Sequence, residues 1–454
     1  MSTFEEIASR VDAQLPDTRA ELESLVRIPS VSSPSFDQSQ VRRSAEAVAA
    51  LARQRGLDAE VIELVTPAGE EGRPAVLAHR QAAPGKPTVL LYAHHDVQPQ
   101  GSLAGWAQDD PFEPVERDGR LYGRGTADDK AGVMVHMGAL AALGDTGLGV
   151  TLYVEGEEEV GSPTFRAFLE TYRDRLRADV IVVADSSNWK VGVPSLTTSL
   201  RGVVDVTVRV DVLDHALHSG AYGGPILDAP TLMTRLLATL HGDDGSVAVS
   251  GLVSYDAAAV EYTEEALRFD AGLLDGVQLA GHGSIASRLW TQPAISLIGM
   301  DITSCAEASN TLVPSCTARL SLRIAPGDDP ERAGRALVEH LKAHAPFGAR
   351  VVATVTETGP AFKAADQTPT STAAREALRR AWQTEPVDIG VGGSIPFIAD
   401  LAEVFPKAEI LVTGIEDPDT RAHSHNESLH LDDWRRAIVA EATLLARLGG
   451  DLAS

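Results

Sequence analysis

Residues 88–96 read TVLLYAHHD, an apolar, β-branched run bounded by Pro87 and Pro99 that ends abruptly on two histidines and an aspartate. A run this short, without polar alternation, predicts a strand buried on both faces. The same texture recurs in VTLYVEGEEE (150–159), VIVVADSS (180–187) and EILVTG (409–414), and more briefly in VIELV (61–65) and AVLAHR (75–80). Helical patterns lie between and around them. They are the Phe4, Ile7, Val11, Leu15, Leu22, Leu25 spacing, SAEAVAALARQRG (44–56), DKAGVMVHMGALAALG (129–144), TSTAAREALRRAW (370–382) and DDWRRAIVAEATLLARL (432–448). Continuous apolar strands alternating with helices predict an α/β domain whose mixed, mainly parallel sheet is covered on both faces.

After residue 197 the pattern changes. VVDVTVRVDV (203–212) alternates with period two, the mark of a sheet with one wet face. A helix near 228–241, TARLSLRIAP (317–326), a helix near 330–345 and VVATVTET (351–358) follow, an order that resembles a split-βαβ, ferredoxin-like sandwich. The chain is therefore expected to hold an α/β domain, 1–197 and 360–454, interrupted by an inserted α+β domain at 198–359. The stretch 243–290 carries no readable period. A length of 454 residues suits two domains, and 44 % hydrophobic residues supply their cores. With 64 acidic and 39 basic residues the formal net charge is −25, which repels phosphate backbones and argues against a nucleic-acid partner. The acidic, amphipathic start MSTFEEIASRVDAQL lacks the apolar core of a signal peptide, and no apolar run reaches membrane-spanning length. A cytoplasmic protein with no membrane partner is expected. Cys305 and Cys316 belong to no metal-binding pair and are read as reduced thiols.

The chemistry is concentrated where strands end, which is where open α/β sheets bind ligands. His94-His95-Asp96, Glu157-Glu158-Glu159 and Asp185 each close an apolar run. Asp128-Asp129-Lys130 follows the turn YGRGTA and opens a helix, and His423-Ser424-His425-Asn426-Glu427 follows EILVTG. So many carboxylates in one place repel one another unless cations intervene. Imidazoles and carboxylates without thiolates suit zinc, and also manganese or cobalt. Taken singly, each cluster has a plainer reading, as a solvated strand end, a helix cap or a surface turn.

Together these motifs resemble the metallopeptidases of the aminoacylase, carnosine dipeptidase, carboxypeptidase G and succinyl-diaminopimelate desuccinylase type, peptidase family M20. YAHHDVQP is similar to its H-x-D element, which implies that His94 is a metal ligand and Asp96 the carboxylate orienting it. YGRGTADDKAG is similar to G-x-x-D-[DM]-K-G and implies Asp128 as the carboxylate bridging two metals, next to a peptide bond that is typically cis in relatives. VEGEEEVGS implies Glu158 as general base and Glu159 as ligand. Asp185 matches the second-metal carboxylate and His423, in AHSHNES, the last ligand. In the inserted domain LHSGAYGG resembles D-L-H-S-G-x-x-G-G and implies that His218 stabilises an oxyanion. Asn310, Arg323, Gly393 and Ser394 match substrate-binding positions, Arg323 as a bidentate carboxylate clamp.

The resemblance implies a hydrolase with two Zn2+ per subunit (Mn2+ or Co2+ in their place), a hydroxide bridging the metals, a dipeptide substrate, the α/β domain as catalytic, the inserted domain as its lid, and a homodimer formed through that lid. Asp at 185 tilts the expectation towards dipeptides. An N-acyl-amino-acid deacylase or desuccinylase is the alternative, and a non-catalytic metal- or peptide-binding relative a second. One departure stands out: Gly390-Val391 occupies the place where carnosine-type dipeptidases often carry Arg-Glu.

Overall fold

The computed structural model describes residues 2–144, 146–256, 260–365, 367–393 and 396–450. The apolar runs of the sequence become a six-stranded mixed sheet. Its order is Asp58–Ile62, Ala75–Arg80, Gly149–Glu155, Thr88–His94, Val180–Val183, Glu409–Val412. The first two strands pair antiparallel with each other, and Ala75–Arg80 pairs antiparallel with Gly149–Glu155. The four from Gly149–Glu155 onward are mutually parallel, so their carboxyl ends lie on one edge. Alternation sorts the side chains. Val89, Leu91 and Ala93 join the main core with the helices Phe4–Val26, Lys130–Leu143 and Leu431–Leu448. Tyr92 points the other way, its ring 5.9 Å from Phe165, while Tyr153 stacks on Phe168 at 4.6 Å. Both faces of the sheet are thus covered, as its continuous apolar strands require.

Helix ends follow their local chemistry. The N-terminal helix starts at a capping box in which Thr3 accepts from the Glu6 N–H and Glu6 from the Thr3 N–H. The Lys130–Leu143 helix, buried along nearly its whole length, stops at Gly144, whose φ of 73° a side chain would resist.

The described chain separates into two compact units: Met1–Thr198 with Ala364–Ile389 and Asp400–Ser454, and Ser199–Lys363 with Gly390–Ala399. The second unit holds a four-stranded antiparallel sheet in the order Ala294–Asp301, Ser315–Ile324, Gly202–Asp211, Arg350–Gly359. The helices Ala229–Ala238 and Pro330–Ala343 share its core. With the strand Ala294–Asp301 included, the chain order is βαββαβ, the ferredoxin-like arrangement. Within 243–290 the described residues form two short helices, Glu264–Ala271 and Ile285–Trp290. No helix among the described residues is long and apolar enough to cross a membrane. Both cysteines are free thiols, Cys305 exposed and Cys316 buried.

Candidate metal centre

His94, the last residue of its strand, is fully buried. Its Nδ1 lies 3.0 Å from the Asp96 carbonyl and 3.4 Å from Asp96 Oδ1, so its Nε2 faces the opposite way. There it meets Asp128 Oδ1 at 3.0 Å and Asp185 Oδ1 at 3.9 Å. The other oxygen of Asp128 lies 2.9 Å from His423 Nε2, which is also 3.1 Å from Glu159 Oε2. Two triads result, His94–Asp128–Asp185 and Asp128–Glu159–His423, each with its ligand atoms within 4.8 Å of one another. Asp128 belongs to both and turns one oxygen to each.

The neighbouring members of each cluster do something else. His95 is buried with Nε2 donating to the Pro74 carbonyl, and burial pushes its pKa down to about 4, so the ring is neutral. Glu157 accepts from Thr164 N–H and Oγ1 and from the Arg73 N–H. Asp129 accepts from the His94 N–H across a cis Asp128–Asp129 peptide. His425 sits edge-on to the Trp106 ring.

Asp96 does more than orient His94. Its carboxylate also accepts the backbone N–H groups of Glu158 (3.2 Å) and Glu159 (3.1 Å), fixing the turn that carries both. The Glu158 side chain accepts no hydrogen bond among the described residues. Burial, followed by the charges of Asp185, Glu159 and Asp96 against the opposing pull of His94, pushes its pKa up to about 9. Burial likewise raises Glu159 and Asp185. Burial alone would raise Asp128 too, but hydrogen bonds from His423 and His94 hold it well below the usual carboxylate range. A divalent cation held by either triad would oppose these upward shifts, since an adjacent positive charge favours the ionised carboxylate.

Other residues support the site through contacts that local sequence does not record. Gln98 donates its N–H and its side-chain amide to the Glu159 carboxylate (3.0 and 2.8 Å). Glu427, 0 % exposed, accepts the N–H groups of Gly125, Ala127 and Asp128 and the guanidinium of Arg124. It therefore shapes the turn that presents Asp128. The buried Lys130 ammonium donates to the carbonyls of Leu25 and Ile28. The run His423-Ser424-His425-Asn426-Glu427 contains Glu427, but only its spatial partners reveal what it does.

The remaining predicted residues lie in the second unit. His218 is exposed, pairs with Thr311 on a two-residue ladder, and accepts the Gly220 N–H at Nδ1. The Asn310 carbonyl accepts the N–H of Ser219, so Asn310 and His218 are neighbours. Arg323 lies on the strand Ser315–Ile324 opposite Val203. Gly393 follows the strand Val387–Val391, and Ser394 lies outside the described residues. The Gly390 departure has a steric cause: a Cβ there would lie 2.6 Å from Trp290 Cβ and Cγ, so no arginine fits unless Trp290 moves.

A family model described as peptidase family M20/M25/M40 matches residues 90–447. The cysteinylglycine-S-conjugate dipeptidase of Corynebacterium striatum is 34 % identical over 374 residues, spanning 80 % of this chain and 81 % of that protein. The Beta-Ala-His dipeptidase of Homo sapiens is 28 % identical over 381 residues, 79 % of this chain and 74 % of that one. Among solved structures, the di-peptidase Dug1p from Saccharomyces cerevisiae matches with a TM-score of 0.77 at 22 % identity over 99 % of both chains, a likeness of fold.

Proposed function

The chain belongs to peptidase family M20/M25/M40, and on that premise we propose that it hydrolyses the amide bond of dipeptides or closely related small peptides. The observation that carries this reading is the sharing of Asp128 between two triads. Two imidazoles and three carboxylates with no thiolate fit a pair of zinc ions, with manganese or cobalt as substitutes. His94, Asp128 and Asp185 would hold one ion, and Asp128, Glu159 and His423 the other. When bound, such ions polarise a carbonyl and acidify water. Glu158, left without a hydrogen-bond partner among the described residues, takes the proton of the attacking water and returns it to the leaving amine. Asp96 keeps His94 in one tautomer and holds the Glu158 backbone. His218 is assigned the oxyanion, and Asn310, Arg323, Gly393 and Ser394 the rest of the substrate, by their match to the family motifs. The same reading includes a homodimer through the Ser199–Lys363 unit and a cytoplasmic location.

Support for dipeptides comes from Asp185 and from two relatives that carry that activity in their names. The test is a panel of free dipeptides, N-acetyl- and N-succinyl-amino acids on metal-reconstituted protein, with Glu158→Gln in parallel. The expected outcome is turnover of dipeptides above the acyl substrates. In Glu158→Gln, turnover should fall about 10²–10⁴-fold at unchanged metal content. Preference for acyl-amino acids assigns the deacylase alternative, and near-normal turnover by Glu158→Gln removes the base from its role.

A further inference from the structure

Arg201 precedes the strand Gly202–Asp211 of the second unit and is only 8 % exposed. A guanidinium buried this far ordinarily faces a carboxylate. Arg201 faces carbonyls instead: its Nε donates to Gly392 O at 2.9 Å, and Nη1 reaches Gln292 O (3.4 Å) and Arg288 O (3.5 Å). The charge that acts on it is a second cation, Arg323. Burial and that neighbour together push its pKa down to about 10, so it stays charged at neutral pH. The turn after Val391 is pressed against this wall. A Cβ on Gly392 would lie 2.9 Å from Arg201 Nη2 and 3.2 Å from Leu289 O. Arg201 thus brings to the Gly-Gly turn a positive charge that no carboxylate among the described residues pairs with. A planar fork beside a second guanidinium is suited to an incoming carboxylate.

We propose that Arg201 is a positioning and specificity residue: it fixes the Gly392–Gly393 turn through the Gly392 carbonyl and adds a second positive charge, beside Arg323, for the free carboxylate of the peptide. The proposal rests on reading Arg323 and this turn as the carboxylate end of the substrate site. The test compares one dipeptide with its C-terminal amide on wild type, Arg201→Gln, Arg201→Lys and Arg323→Met, reading kcat and KM separately and thermal unfolding as a control. Arg201→Gln should raise KM for the free dipeptide about tenfold, the scale of one charge-assisted contact. Its kcat/KM for the amide should fall by a smaller factor than its kcat/KM for the free dipeptide, since only the free dipeptide loses the charge contact as well as the turn support. Arg201→Lys should recover part of the lost affinity, because it keeps the charge and loses only the fork. If Arg201→Gln fails to fold, Arg201→Lys decides, with a KM increase larger for the free dipeptide than for the amide. Equal losses on acid and amide, or a loss in kcat alone, overturn the role of Arg201. If Arg323→Met also fails to distinguish acid from amide, the carboxylate-end reading falls. If Arg323→Met distinguishes them and neither Arg201 variant does, only the Arg201 proposal falls.

Discussion

Glu427→Gln probes the support of the candidate metal centre without touching a residue of either triad. The wild-type carboxylate uses Oε1 for the N–H groups of Ala127 (3.0 Å) and Asp128 (3.1 Å), and Oε2 for Gly125 N–H (3.0 Å) and Arg124 Nη1 (2.5 Å). Glutamine can keep the first pair through its amide oxygen. Its NH2 group then meets the Gly125 N–H and the Arg124 guanidinium, so that only donors face one another. Arg124 is 1 % exposed and cannot turn to water. Its remaining bonds run to the Ser424 and Pro99 carbonyls, which carry no charge. Breaking a buried ion pair from one side costs about 3–5 kcal/mol, and one orphaned buried N–H about 1–3 kcal/mol. The two overlap in space, so the expected loss is about 4–6 kcal/mol, a large share of the ~5–15 kcal/mol that holds a protein folded. Urea unfolding with and without chelator measures it. The double variant Arg124→Met, Glu427→Gln should cost less than the sum of its parts by about 1.5–3 kcal/mol, because no orphaned charge remains. Glu427→Ala, which also frees the Asp128 N–H, should weaken metal affinity about 10–100-fold. A Glu427→Gln midpoint within about 1 kcal/mol of wild type, or strict additivity in the double variant, would refute this account.

Two further outcomes follow from buried contacts. His136 donates from Nδ1 to Glu441 Oε1 (2.8 Å) and from Nε2 to the Tyr92 carbonyl (2.9 Å), so both ring nitrogens carry protons. Burial alone would lower its pKa, but Glu441 and the Tyr92 carbonyl hold it above the ordinary 6.5. The stabilisation is therefore complete below 6.5 and disappears as pH rises through the higher folded value. The urea midpoint followed against pH should show this slope in wild type and a flatter one in Glu441→Gln. Equal slopes would exclude the pair as its source. At Gly390, substitution by Ala should destabilise by about 1–3 kcal/mol through overpacking on Trp290, and Trp290→Ala in the same chain should relieve that added cost. A neutral Gly390→Ala would mean that Trp290 yields freely.

The strand-end residues were legible because burial and chemistry leave marks in one dimension. Thr88–His94 is apolar where it is buried and ionisable where it meets the site. The strand Ala294–Asp301 left no such mark. Its register shifts between Leu297 and Gly299, and Leu297 and Ile298 are both about half exposed, so neither alternation nor a continuous buried run survives. Gly390–Ala399 is grouped by sequence with the catalytic domain but clusters with the second unit, since it packs against Arg201 and Trp290, far upstream in the chain. The positioning residues were hidden for a related reason. Gln98 lies 61 residues from Glu159, and Glu427 lies 299 from Asp128, so no local motif records either partnership.

Those hidden contacts explain how adjacent residues acquire different roles. In the triplet Glu157-Glu158-Glu159, Thr164 and the Arg73 N–H hold the first carboxylate, and Gln98 together with His423 holds the third. Among the described residues, only the middle one is left without a donor, beside the triads and with its pKa raised. A ligand must be held still and ionised, whereas a proton carrier must be unencumbered and near its protonation midpoint. On the proposed function, cations held by the triads would lower the raised Glu158 pKa, since an adjacent positive charge favours the ionised carboxylate. On that reading, the charge held by the proposed ligands would also tune the proposed base. Within this triplet the proposed division of labour follows from which carboxylates the fold has already supplied with donors.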